Sequence, residues 1–198
     1  MPVQGYDYCM AIESPQYTVI EKDGQLELRE YSGYITAAVE VQADSYNSAG
    51  SMAFSTLADY IFGNNTKRAK ISMTAPVITS KPLGSEKIAM TAPVIAAKVD
   101  DLSFVISFTM PSNYTMQDLP KPKNKSVSIN NIAKYKAVVI RFSGYTTEAK
   151  IDKKIDELKQ WATQKHLKLI GEPSILRYDP PWKPGFFRRN EISITVKN

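Results

Sequence analysis

Tyr34 to Phe62 reads YITAAVEVQADSYNSAGSMAFSTLADYIF, and the same pattern returns 101 residues later in Tyr135 to Lys165, YKAVVIRFSGYTTEAKIDKKIDELKQWATQK. Each copy opens with an apolar, β-branched run of strand length, Tyr34 to Val41 and Tyr135 to Phe142, and then changes to a helical period behind a hydroxyl residue. Ser45 is placed to cap a helix from about Tyr46 to Phe62, with Ala49, Met52, Ala53, Leu57, Tyr60 and Ile61 at helical spacing and a stop at Gly63-Asn64-Asn65. Thr146 or Thr147 caps a second helix from about Glu148 to Lys165, with Ile151, Ile155, Leu158 and Ala162 as its apolar stripe. The shift sets Tyr34 on Tyr135, Ala38 on Val139, Ser45 on Thr146, Leu57 on Leu158 and Tyr60 on Trp161. Strand, capped helix and strand in repeated order imply an internal duplication: an α+β, pseudo-twofold structure with two helices on a curved antiparallel sheet.

Outward from these blocks the chain supplies the rest of the sheet. Tyr17 to Glu21 begins a strand, Lys22-Asp23-Gly24 turns it, and Leu26-Glu27-Leu28-Arg29-Glu30-Tyr31 alternates strictly, as a half-buried strand does. Leu102 to Phe108, Val127 to Ile129, Leu167 to Arg177 and Glu191 to Val196 read as further strands, and the proline- and lysine-rich Met110 to Asn124 as a long connection. Residues 1–14 read as an extension, and 15–198 as one domain.

Met-Thr-Ala-Pro-Val occurs twice, at Met73 to Val77 and Met90 to Val94. Because proline gives no ladder hydrogen bond, each copy reads as a strand at an edge or bent at Pro76 and Pro93, the two forming arms of a hairpin or long loop about Lys81 to Ser85. The doubled KI(S/A)MTAPV lies between Tyr60-Ile61-Phe62-Gly63-Asn64-Asn65 and the segments Ser107 to Ser112 and Leu119-Pro120-Lys121-Pro122. With Tyr178 to Pro184 and Arg188-Arg189-Asn190-Glu191, this ordered set resembles the SOUL family, also called the heme-binding protein family, over about residues 15–198. The resemblance implies a distorted antiparallel β-barrel flanked by two long helices, heme or another tetrapyrrole as ligand, and a porphyrin site near the first helix. Where some relatives have a histidine before the second-strand tyrosine, this chain has Glu30. At positions where vertebrate members carry basic residues and methionine, it has Ser51, Ala58 and Asp59.

Composition bounds the chemistry. The 198 residues are 43% apolar and carry a formal charge of +5, with basic clusters only at Lys121 to Lys125 and Lys150 to Lys154, so nucleic acid is not an expected partner. Cys9 is the only cysteine, which excludes an internal disulfide and a multi-cysteine metal site. His166 is the only histidine, so no histidine-containing triad or histidine-rich metal site is expected. No transmembrane run or signal peptide is expected either, which points to a cytoplasmic protein; an export or lipid-attachment segment, found in some microbial relatives, would alter that.

The expected function is a non-catalytic carrier or buffer of porphyrin. Its groove would be lined by Met52, Leu57, Tyr60, Ile61, Met73 and Met90, with Arg188 and Arg189 available for propionates. His166, at the end of the second helix, is the candidate axial ligand, although a capping or surface role suits that position better. The alternative is a pocket for a cationic aromatic compound, or a detoxifying site, centred on Glu191 with Tyr178. There, strand alternation sets Glu191, Ser193 and Thr195 opposite Ile192, Ile194 and Val196.

Overall fold

A computed structural model describes residues 13–81, 102–180 and 182–197. The strands are β1 (Tyr17–Asp23), β2 (Leu26–Tyr31), β3 (Tyr34–Gln42), β4 (Val77–Ser80), β5 (Ser103–Thr109), β6 (Ser128–Ile132), β7 (Tyr135–Ser143), β8 (Leu169–Arg177) and β9 (Arg189–Val196). Helices α1 (Tyr46–Ile61) and α2 (Glu148–Gln164) follow β3 and β7. Among the described residues the strands form one antiparallel sheet in the order β1-β2-β7-β9-β8-β4-β5-β3-β6. A twofold axis between β8 and β4 exchanges β2 with β6, β7 with β3 and β9 with β5, so the duplication is written in the sheet order, and β1 is an addition to one half.

The sheet is not closed by hydrogen bonds, yet its connections force it to curl. Only Ser32 and Gly33 separate β2 from β3, and only Ala133 and Lys134 separate β6 from β7, although β2 and β3 are second and eighth in the sheet. A link of that length spans at most about 11 Å, whereas flat strands six places apart would lie nearly 30 Å from each other at about 4.8 Å per strand. The two ends must therefore approach. The Tyr34 and Tyr135 hydroxyls, one from each half, lie 3.0 Å apart. This is the distorted, barrel-like sheet with two flanking helices that the duplication and the family resemblance imply.

Helix α1 packs on β3, β5 and β4, and α2 on β7, β8 and β9, and both bury their stripes in one apolar core. Leu57, Ile61, Ile151 and Leu158 meet Ala37, Val39, Ile106, Val138, Ile140, Ile192 and Ile194 there. Met52 falls at the edge of the α1 stripe and is 54% exposed. The Ser45 hydroxyl accepts from the Ser48 N–H at 3.1 Å, whereas Thr147 occupies the corresponding cap of α2 without a side-chain bond. Ser45→Ala is expected to lower the unfolding free energy by about 1 kcal/mol, read from the urea midpoint at unchanged slope.

Of the two expectations for the first Met-Thr-Ala-Pro-Val copy, a strand at an edge or one bent at Pro76, the structure rules out the edge. Because Pro76 has no N–H, the ladder starts only at Val77, and β4 then lies in mid-sheet between β8 and β5. The second copy, including Met90, lies outside the described residues.

Candidate functional site

The face of the sheet turned away from the helices is concave, since Tyr34 of β3 and Tyr135 of β7 meet across it. Strand alternation decides what reaches it: on β2, Leu26 and Leu28 go to the helix side while Glu27, Arg29 and Tyr31 go to the other. On β9, Ile192, Ile194 and Val196 join the core, which leaves Glu191, Ser193 and Thr195 on the concave face as alternation requires. Register brings β2 and β9 to opposite sides of β7, with Ala137 and Val139 between them as small residues over which long side chains can meet.

At that point lies an ion cluster. Glu191 is fully buried, and Arg29 grips it with both terminal nitrogens, Nη1 to Oε2 at 2.7 Å and Nη2 to Oε1 at 3.1 Å. Arg189 donates to Oε1 from Nη2 at 2.6 Å and from Nε at 3.1 Å, and the Tyr178 hydroxyl donates to Oε2 at 2.8 Å. Arg29 is itself 1% exposed, donates to Glu27 at 2.7 Å and to the Tyr31 hydroxyl at 3.1 Å, and lies 4.2 Å from the Tyr17 ring centre. Arg189 lies 4.0 Å over Tyr178, and Tyr31 stacks on Tyr135 with ring centres 5.0 Å apart. In the cluster two guanidiniums balance two carboxylates beside a ring of tyrosines, and at its edge Lys22 adds a further cation 3.0 Å from Glu27.

Burial pushes the Glu191 carboxyl up, but the hydrogen bonds and charge of Arg29, and then of Arg189, outweigh it and hold it below the usual carboxylate range. Burial lowers Arg29, and the Glu191 hydrogen bond more than offsets this, so Arg29 stays firmly protonated. Tyr178 is raised by burial and then by the Glu191 charge, so it remains a neutral donor.

Of the residues singled out in the sequence, the structure brings together Glu191, Tyr178 and Arg189. Arg29, Glu27, Tyr17 and Tyr31 complete the cluster and were not among the candidates. The signal for Arg29 was present: a charge between Leu28 and Glu30 in a strictly alternating strand has to find a partner if that strand is covered on both faces. Arg188 turns elsewhere, donating from Nε to the Lys183 carbonyl at 2.7 Å, with its guanidinium 5.2 Å from the Tyr145 ring centre. Asp179 ties the adjoining loop, accepting from Lys183 at 2.6 Å and from the Arg189 N–H at 2.5 Å.

The groove candidates fall into two groups. Leu57, Tyr60 and Ile61 are wholly buried in the core, and the Tyr60 hydroxyl donates to the Pro120 carbonyl at 2.8 Å; burial, its main cause, pushes its pKa up to about 12. Met52 and Met73 are exposed, as is Phe54, whose ring packs edge-on against Phe108 at 5.5 Å. His166 is exposed just past α2, in a left-handed conformation (φ 55°) whose N–H bonds the Thr163 carbonyl at 3.0 Å, as in a helix C-terminal turn. Glu30, where some relatives have histidine, pairs with Lys134 at 2.8 Å. Among the described residues no group of three or more histidine, cysteine, aspartate and glutamate side chains is placed to hold a metal ion, and no helix is long and apolar enough to cross a membrane.

Two clefts accompany these features. One of about 500 Å³ between the starts of α1 and α2 is lined by Tyr46, Phe104 and Ile155, by the acids Asp44, Glu148, Asp152, Asp156 and Glu172, and by Lys81 and Lys159. Another of about 240 Å³ lies where Tyr34, Met110 and Tyr114 meet Pro15 and Gln16.

This architecture, two helices on one curled antiparallel sheet, is shared with solved structures. The EcmrR C-terminal domain superposes with a TM-score of 0.64 at 13% identity, covering 88% of this chain and 98% of that one. A hydrolase encoded by lin2189 from Listeria innocua superposes at 0.60 and 12% identity, covering 87% and 92%. These likenesses establish the fold alone. The sequence is more specific: residues 12–195 match the SOUL heme-binding protein family, and the chain belongs to it. Heme-binding protein 1 of Xenopus tropicalis is 30% identical over 180 residues, covering 90% of this chain and 87% of that protein. Heme-binding protein 2 of Homo sapiens is 28% identical over 144 residues, covering 71% and 64%.

Proposed function

We propose that this protein binds heme or a related tetrapyrrole and carries or buffers it, holding the ring through apolar contact without strong axial ligation. The observation that carries this reading is membership of the SOUL heme-binding family over residues 12–195. Three local features support the manner of binding. The only histidine stands exposed at a helix end, Glu30 occupies the position at which some relatives offer an imidazole, and Met52 and Met73 present soft apolar surface to solvent. Leu57, Tyr60 and Ile61 serve this site as the rigid backing of α1, and a porphyrin meets the exposed methionines first.

The alternative, a pocket for a cationic aromatic ligand or a detoxifying site at Glu191 and Tyr178, has one favourable observation, a wholly buried carboxylate ringed by tyrosines. Against it, Arg29 and Arg189 already supply the cations that a ligand would bring. The charge balance favours carriage over this second reading.

Titration with hemin separates them. A saturable one-to-one Soret shift is expected, with affinity unchanged within about twofold in His166→Ala, because a surface imidazole is not the holding contact. A drift like that of free hemin, together with saturable binding of a cationic dye that is lost in Glu191→Gln, would reverse the order of the two readings.

A further inference from the structure

Among the described residues, no element covers the large aromatic rings of the loop between β8 and β9. Trp182 is 83% exposed, Phe186 70%, Phe187 64%, and Tyr145 at the end of β7 is 64%. Tyr145, Phe186 and Phe187 share one corner: a Cβ on Gly185 would lie 2.5 Å from Tyr145, so the bare glycine backbone rests on that ring, and Phe186 and Phe187 have ring centres 4.3 Å apart, while Trp182 stands just before Gly185 in the same loop. The exposure is not slack. Phe187 N–H bonds the Pro184 carbonyl at 3.0 Å, Lys183 N–H bonds Pro180 at 3.1 Å, and Asp179 and Arg188 anchor the two ends of the loop. Hydrogen bonds thus hold several apolar rings out into solvent, which soluble surfaces rarely do without a partner.

The surroundings specify that partner. Three cations lie by these rings: Lys150 bonds the Ser143 carbonyl at 2.7 Å just ahead of Tyr145, the Arg188 guanidinium stands 5.2 Å from the Tyr145 ring centre, and Lys183 of the loop itself pairs with Asp179, which also accepts from a backbone N–H. Neither cleft takes in any of the four rings, and a ring open over four-fifths of its surface projects rather than lines a groove. A rigid protein groove would have to match each ring, whereas a lipid interface flows around them. Tryptophan, tyrosine and phenylalanine beside lysine and arginine suit the boundary between headgroups and acyl chains, where rings bury and cations meet phosphate.

We propose that the corner formed by Tyr145, Trp182, Phe186 and Phe187 docks the protein on an anionic phospholipid surface. Trp182 enters the acyl boundary, and Lys150, Lys183 and Arg188 face the headgroups.

The test is co-sedimentation of the full chain with vesicles of phosphatidylcholine alone and of phosphatidylcholine mixed with phosphatidylglycerol, at low and high salt. Binding to the mixed vesicles that weakens with salt is expected, accompanied by a blue shift of Trp182 emission and its quenching by brominated acyl chains. Trp161 is buried and changes little, which leaves Trp182 as the reporter. The variant Trp182→Ser with Phe187→Ser loses more than about tenfold in partitioning, while its circular dichroism and melting match wild type because both rings are exposed. Phe186→Ser alone loses less and guards against a folding defect in the double variant. Absence of binding to mixed vesicles at low salt, or equal binding by the double variant, overturns the proposal. So does concentration-dependent dimerisation that the double variant abolishes without any vesicle binding, because the corner is then a contact between copies of this chain.

Discussion

Replacing Arg29 with alanine is expected to destabilise the protein by roughly 3–5 kcal/mol, the usual cost of stranding a buried charge. Glu191 is 0% exposed and takes the Arg29 fork on both oxygens, so without it one carboxylate keeps only the half-exposed Arg189 and the Tyr178 hydroxyl. Arg29→Met with Glu191→Leu is expected to recover much of that loss, since no charge is then left unpaired. Chemical denaturation of the single and double variants measures both. A loss below about 1 kcal/mol in Arg29→Ala would mean that water screens the cluster, as it does for surface pairs. The pH dependence has a fixed sign. Glu191 has a folded-state pKa depressed below its unfolded value, so its contribution is fully present above the ordinary carboxylate range and is lost as pH falls through the depressed value. Burial raises Glu27 and Asp179 too, but their basic partners prevail and leave both lowered, so they act in the same direction. Stability should therefore fall toward acid more steeply in wild type than in the double variant.

Local signals announced the elements, and long-range pairing explains what they left out. The apolar stripes, Ser45 and the left-handed Gly63 gave α1 nearly to the residue, and the 101-residue shift predicted a twofold structure that the strand order displays. Nothing local says that β2 pairs with β7 of the other half, or β6 with β3, because the partners lie 90 or more residues apart and only the curl of the sheet brings them together. The cluster follows the same rule. Alternation correctly set Glu191 opposite Ile192, but Arg29 is 162 residues away and becomes its partner only through the shared neighbour β7. The proline of the first Met-Thr-Ala-Pro-Val copy suggested an edge, yet a proline just before a strand removes no ladder bond, so β4 can take a central place.

Leu57→Ala and the pair Met52→Ala with Met73→Ala should separate stability from ligand binding. Leu57 is 0% exposed in the main core, so truncating it is expected to cost about 2–5 kcal/mol, read as a lower denaturant midpoint. Met52 and Met73 are half-exposed, and their double truncation should change stability by less than about 1 kcal/mol. If a porphyrin rests on the outer flank of α1, hemin affinity should move the other way: unchanged within about twofold in Leu57→Ala under conditions where it stays folded, and weaker by about tenfold in the methionine variant, an amount set by the apolar area withdrawn. The reverse pattern has a distinct structural meaning. Hemin binding that depends on Leu57 but not on the methionines would require α1 to lift from β3 and β5 and admit the ring into the core, in which case ligand affinity and helix packing would draw on the same contacts.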